Sequence, residues 1–376
     1  MSDVHWPRRE FLRFGAGAAA LAVAGCKSAD SASSKITDRL FAGLKPLPPV
    51  MPNAVLKRGA LRPKSVCNYV DDCIWFLRDI ARTRPKSIFD TPYLKGFRRL
   101  HDETGLKVQF NLFYRTDFFY GMDEFTLADM PDTYRSEFQD NADWIRFGPH
   151  SLQEFPDNPW VSVSYGDMSR FLSIMREQVA RFAGESLFAR CFMPHWVPVS
   201  KEGVRAVRDA GFPMMLGTLG NRLEYNGDPN TLPYGHAFRL LNRRRPETAL
   251  YTRESTNLAI SASICGYNHL TVEQSKVLAK ENAYVYDPDT GMNFQTAWSL
   301  PMSCLNLQTL VGLPADFAAV NGDEFVCYGN HEQYFFGDYF AHQPDYMEKE
   351  LVAARLFREN GYSFCFMEEM LGNGAR

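Results

Sequence analysis

Three places in the chain put carboxylate or imidazole groups directly behind a short apolar run. The first is Asp71-Asp72, which follows Ser65–Val70. Two adjacent carboxylates repel each other, a cost that a bound cation relieves. One can bind the ion while the other, held beside it, works as a base. Capping the next helix would need only one Asp. The second is Gly148-Pro149-His150-Ser151-Leu152-Gln153-Glu154, behind Trp144–Phe147. If the chain turns helical at His150, then His150 and Glu154 lie one turn apart on a shared face. Imidazole plus carboxylate at that spacing grips a divalent metal at two points. The third is Asn330-His331-Glu332, behind Phe325–Gly329, where His331 can serve as a general acid or a further ligand. This His-Glu pair does not begin a zincin motif, because the fifth position is Phe335 and not His. His195, within Met193-Pro194-His195-Trp196, stands behind these three. Trp196 beside it can form an apolar or sugar-stacking wall, or simply fill the core. His101, His236, His269 and His342 lie in helical or irregular stretches and count as background.

The elements that must position these groups alternate short apolar runs with amphipathic helices, the signature of an α/β domain. Strands are expected at Ser65–Val70, Lys107–Phe113, Trp144–Phe147, Phe192–Met193, Pro213–Leu216, Phe325–Gly329 and Ser363–Met367. Helices are expected at Ile74–Arg82, Lys95–Glu103, Met168–Phe182, Lys201–Ala210 and Tyr346–Glu359, several closed by a Gly just past the end. Residues 220–310 are less regular and rich in Asn, Gly and Pro, with a strand-like piece at Leu258–Ile264 and a helix near Thr271–Lys280. Repeating strand–helix units imply a parallel barrel or a related open sheet, with chemistry at the C-terminal ends of the strands.

The N-terminus reads as an address. Arg8-Arg9-Glu10-Phe11-Leu12-Arg13 is a twin-arginine sequence, followed by an Ala- and Gly-rich apolar run from Phe14 to Gly25. At about 1.5 Å per residue that run spans about 18 Å, short of the ~30 Å hydrocarbon core, so it is the apolar region of an export signal. Val23-Ala24-Gly25-Cys26 resembles a bacterial lipobox, in which the Cys carries lipid. The expected organisation is a signal peptide over 1–25, lipidated Cys26 and a Pro-punctuated tether over 26–60, and one catalytic domain over 61–371. The partners that follow are the twin-arginine translocase and a membrane.

Of 376 residues, 45% are hydrophobic and 23% charged, which suits a globular core and excludes disorder. Lys and Arg total 41 against 44 Asp and Glu, so the basic excess that drives nucleic-acid binding is missing. No Cys-x-x-Cys pair, Gly-x-Ser-x-Gly elbow, Walker-A loop or Gly-x-Gly-x-x-Gly turn occurs. The cysteines behind the leader mostly sit in apolar runs and read as small buried hydrophobes.

Taken in order, Tyr69-Val70-Asp71-Asp72, His150-Ser151-Leu152-Gln153-Glu154 and Phe325-Val326-Cys327-Tyr328-Gly329-Asn330-His331 resemble the motifs of the polysaccharide deacetylase (NodB-homology, carbohydrate esterase 4-like) family. The likeness spans roughly residues 65–370. It implies an α/β fold, a distorted (β/α) barrel of seven strands, here with an irregular insertion around 220–310. It also implies that Asp71 is the general base, Asp72 and His150 are metal ligands, and His331 is the general acid. Glu154 stands where the family's second motif ends in His, and is carried here as the third metal ligand. Cys73 stands where the family has Gly, and Arg190 precedes Pro194 by four where the family has Arg-x-Pro. The implied cofactor is a divalent ion, zinc first. The implied reaction removes acetyl groups from a polysaccharide or other glycan through water made acidic by the ion. Two rivals keep the fold: a metal-dependent hydrolase of another glycan bond, and a non-catalytic carbohydrate-binding lipoprotein.

Overall fold

A computed structural model of the protein describes residues 50–116, 124–154, 159–217, 267–271, 274, 277–278, 280–296, 302, 304–339 and 341–375. The export signal, Cys26, most of the tether, the 258–264 strand and His236 lie outside them. In chain order the regular elements begin with β1 (Val55–Arg58), β2 (Ser65–Cys73), α1 (Trp75–Thr83), α2 (Pro92–Thr104) and β3 (Val108–Phe113). They continue with α3 (Arg135–Gln139), β4 (Ile145–Ser151), α4 (Tyr165–Phe182), β5 (Cys191–Phe192) and α5 (Lys201–Asp209). Next come β6 (Met214–Leu216), β7 (Ala283–Asp287) and β8 (Met292–Gln295), followed by α6 (Leu313–Ala318), β9 (Phe325–His331), α7 (Tyr346–Glu359) and β10 (Ser363–Cys365).

Among the described residues the result is a mixed α/β arrangement with two five-stranded sheets. In the first, β2 is central. It pairs parallel with β9 along Ser65–Asp71, with β10 along Ser65–Cys67, and with β3 from Asn68 onward; β4 then pairs parallel with β3. One hydrophobic cluster takes Val66 and Val70 of β2 and another takes Cys67 and Tyr69, so the strand is covered on both faces and buried almost throughout. In the second sheet β5, β6 and β8 run parallel, while β7 and β1 extend the edge antiparallel. The sheets meet where a parallel bridge joins Phe147 to Phe188.

Helix ends follow local chemistry. Pro92 occupies the first turn of α2, where its missing N–H costs nothing, and Gly105 closes that helix at φ 75°. Ser164 and Ser200 cap α4 and α5 by accepting the backbone N–H of Asp167 and Gly203. Between the first sheet and its helices lies an aromatic core that includes Phe76, Tyr93, Phe97, Phe110 and Phe147. The other face of β2 joins a separate sulfur-rich cluster with Cys67, Cys191, Cys327, Cys365, Met193 and Met367. Its four cysteines are free thiols; burial pushes Cys191, Cys327 and Cys365 up. Cys67 is pushed up by its hydrogen bond with Cys327 and then by burial.

Several elements differ from the sequence expectations. The first expected strand runs on through Cys73. The third, expected at Trp144–Phe147, runs to Ser151, so His150 sits in a strand and not at the start of a helix. Within the 220–310 stretch lies an antiparallel hairpin, β7–β8, whose first strand is buried on alternate positions. The expectation of an irregular insertion missed it, because Tyr284, Tyr286 and Asn293 break the apolar run that the other strands show.

Candidate metal centre

The ends of β2 and β4 and the loop after β5 converge on one point. At the end of β2 the pairing with β3 slips between Val70 and Cys73, and Asp72 takes φ 61°. Successive strand residues normally face opposite sides. The slip and the left-handed residue instead turn both neighbouring carboxylates toward His150, at 3.9 Å from Asp71 and 3.3 Å from Asp72. A non-glycine residue at positive φ costs energy, and such strain collects at functional sites. Trp196 and Val197, directly after His195, also take positive φ, 63° and 71°.

Each imidazole has its outward nitrogen committed. His150 Nδ1 lies 2.6 Å from the Met193 carbonyl, and His195 Nε2 lies 3.0 Å from the Glu154 carbonyl. A carbonyl only accepts, so those ring nitrogens carry protons, and in the neutral rings the inward ones carry lone pairs. The inward atoms, His150 Nε2 and His195 Nδ1, stand 3.2 Å apart. Each is as close to Asp72 Oδ1, at 3.3 Å and 3.2 Å. Three acceptors therefore face one another. Asp72 Oδ1 is buried and has no hydrogen-bond partner, while Oδ2 accepts from Gln333 Nε2 at 2.8 Å.

Those residues fit a divalent cation. Tetrahedral coordination with bonds of roughly 2.0–2.2 Å puts donor atoms about 3.4 Å apart, close to the spacing here. Asp72, His150 and His195 form the one cluster of metal-ligating groups among the described residues, and all three are buried. The carbonyls behind both rings are the outer support that orients imidazole ligands. Phe113 closes the apolar side, packed edge-on against the His195 ring at 5.1 Å and tilted on His150 at 5.6 Å.

The electrostatics agree. Burial alone would push Asp72 up, but its two imidazole partners outweigh that and hold it well below the usual carboxylate range. Burial alone would lower His150, yet the Asp71 and Asp72 carboxylates raise it above the ordinary histidine value. Both directions favour positive charge at the centre of the cluster.

Of the residues singled out in the sequence, the structure brings together Asp71, Asp72 and His150. His331 belongs to the same strand ends: it pairs in register with Asp71, and its Nδ1 lies 3.1 Å from Asn306 Oδ1. The Glu154 carboxylate lies outside the metal-ligating group, and Glu154 reaches it through its main-chain carbonyl. His195 takes the third position. The signal for it was present, since Met193-Pro194-His195 also follows an apolar run. Gln333, Asn111 and Asn306 carried no sequence signal at all, because lone amides are common and only the fold brings them to the site.

No family model matches the chain, and no curated protein matches it. Among solved structures it is similar to the chitin deacetylase of the fungal pathogen Colletotrichum lindemuthianum, at 12% identity and a TM-score of 0.34, over 87% of this chain and 93% of that one. It is also similar to the Xyl-CE4 domain of a multidomain xylanase from the hindgut metagenome of Trinervitermes trinervoides. That likeness has 12% identity and a TM-score of 0.27, over 58% of this chain and 93% of that domain.

Proposed function

We propose that the protein is a metal-dependent hydrolase that removes acetyl groups from a polysaccharide or other glycan. One observation carries the reading: Asp72 Oδ1, His150 Nε2 and His195 Nδ1 converge as three ligand atoms beside a second carboxylate, Asp71. Asp72, His150 and His195 would hold the ion. When bound, a divalent cation polarises an acyl oxygen and acidifies water, which is what deacylation near neutral pH requires. Asp71, directly beside the cluster, is the proton acceptor for the attacking water. Its Oδ1 is fixed by the Asn111 amide at 2.7 Å, so its second oxygen has a defined direction. His331 Nδ1 is engaged with Asn306, which leaves Nε2 as the atom that hands a proton to the leaving amine or alkoxide.

The acetylated glycan comes from the order of the motifs, as does the choice of zinc. The barrel reading joins the two sheets through the Phe147–Phe188 bridge, with the site at the C-terminal ends of the strands. Export and lipid anchoring rest on the twin-arginine run and on Cys26. Replacing Cys26 by Ala should move the protein from the membrane to the soluble fraction of the cells that make it, while Arg8→Lys with Arg9→Lys should keep it in the cytoplasm.

The test is elemental analysis together with acetate release from a panel of acetylated glycans, wild type beside Asp72→Ala. About one divalent ion per chain and acetate release, both lost in the variant, are expected. A variant that keeps both would overturn the site. An ion with glycan cleavage but no acetate would overturn deacetylation and keep the hydrolase.

A further inference from the structure

Asp71 has no Lys or Arg paired with it among the described residues; a buried amide reaches it instead. Asn111, on β3 and fully buried, donates Nδ2–H to Asp71 Oδ1 at 2.7 Å and lies 3.2 Å from the Met193 sulfur. An amide can present either its N–H or its oxygen to a neighbour, so something must decide which end faces the carboxylate. The deciding group is a main-chain carbonyl. Gln109, two residues earlier on the same face of β3 and also buried, has its amide nitrogen 3.0 Å from the Cys191 carbonyl. That carbonyl only accepts, so Gln109 must present Nε2 there. The same Nε2 then donates to Asn111 Oδ1 at 2.7 Å. With its oxygen occupied, Asn111 can turn only its N–H toward Asp71. The polarity of the chain Cys191, Gln109, Asn111, Asp71 is therefore fixed from one end to the other.

The neighbouring strand makes room for this chain at one position. Gly148, on β4, is the register partner of Asn111. A Cβ there would lie 2.6 Å from Asn111 Oδ1 and 2.6 Å from Gln109 Nε2, closer than real side chains approach. Any larger residue would push the two amides apart.

The geometry points to Asn111 as the positioning residue for Asp71, oriented by Gln109 and given space by Gly148. This rests on the proposed hydrolase only in giving Asp71 the role of proton acceptor; the wiring itself stands on the hydrogen bonds. A carboxylate whose one oxygen is pinned by a directed N–H keeps its rotation, and a proton acceptor misplaced by about 1 Å loses about 10²-fold in rate.

The experiment begins with the full chain, labelled with nitrogen-15 and free of metal. The Asn111 side-chain amide resonance, assigned by its disappearance in Asn111→Ala, should be displaced by Asp71→Ala and by Gln109→Glu, which removes the donor and leaves Asn111 in place. A resonance that neither variant moves overturns the wiring. The same chain loaded with Zn2+ is then assayed for acetate release. Asn111→Ala and Gln109→Glu should each lower kcat by about 10²-fold, with KM within about threefold and metal content as in the wild type. The double variant should fall no more than about twofold below Asn111→Ala, since Gln109 acts through Asn111. A kcat near the wild-type value in Asn111→Ala, or a loss that follows metal content or KM, overturns the positioning role. A wild-type chain that releases no acetate while its Asn111 resonance responds as expected overturns the deacetylase reading, and the wiring is upheld.

Discussion

The two imidazoles of the candidate centre present different nitrogens to it, Nε2 from His150 and Nδ1 from His195, because the fold offers each ring a carbonyl on the opposite side. That assigns the donor set residue by residue. His150→Ala and His195→Ala should each weaken metal binding by more than the roughly 10–100-fold loss typical of an outer-shell partner. Glu154→Ala should keep its ion within about threefold of the wild-type affinity, since the contribution of Glu154 is a carbonyl that any residue supplies. Titration with a divalent ion, followed by calorimetry, separates these outcomes; loss of the ion in Glu154→Ala would return its carboxylate to the ligand set. The sequence carried the Asp pair, His150 and His331, because each follows an apolar run. It put Glu154 ahead of His195 as the third ligand, whereas the structure groups His195 with Asp72 and His150. That choice depends on whether the chain at His150 is helix or strand, and pairing settles it: Ser151 lies in register with Phe113, so β4 continues past His150. Residue 154 then no longer shares a helical face with His150, and a ring 45 residues further along reaches it across the gap between β4 and β5.

At the scale of elements, the first helix depends on a residue far away in the chain. The residue before α1 is Ile74, which has no side-chain oxygen with which to cap it. Glu332, directly after β9, does so instead, accepting the backbone N–H groups of Ile74, Trp75 and Phe76 at 2.6, 2.9 and 2.6 Å. The carboxylate thereby ties the end of β9 to the start of α1, on either side of the two aspartates. Glu332→Gln keeps the shape but has one oxygen for three donors, and should lower stability by about 1–3 kcal/mol in denaturant unfolding. Burial outweighs the three N–H groups and pushes Glu332 up to about 8 from 4.5. A folded-state value above the unfolded one means that the stabilisation is full below about 4.5 and is lost as pH rises toward about 8. The gap in stability between wild type and Glu332→Gln should therefore narrow across that window; a constant gap would mean that Glu332 stays ionised. No sequence pattern shows such a cap, because it spans 256–258 positions. The five longer helices were legible from their apolar stripes, whereas the short α3 and α6 and the β7–β8 hairpin were not.

Across the whole molecule the candidate centre lies on a seam. Asp72 and His150 belong to strands of the first sheet, while His195 follows β5 of the second. Between β4 and β5 the backbone contacts are sparse: the Phe147–Phe188 bridge, Ala189 N–H to the Phe147 carbonyl at 2.9 Å, and His195 N–H to the His150 carbonyl at 3.2 Å. Three ligand atoms crowd at that junction, and a bound ion would link the two sheets through them. An ion that binds only the folded chain, at about 100 times its Kd, adds about 2.7 kcal/mol of stability. For a body of about 310 residues that corresponds to a fall in Tm of about 4 °C on chelation. The loss should also be local. Hydrogen exchange of the Ala189 and His195 amides should accelerate when the ion is removed, because opening the seam exposes them. The amides of Val66 and Val326, within the continuous pairing of β2 with β9, should keep their rates. Uniform acceleration would show that the ion stabilises the molecule as one unit, and no change in either measurement would show that the seam holds without it.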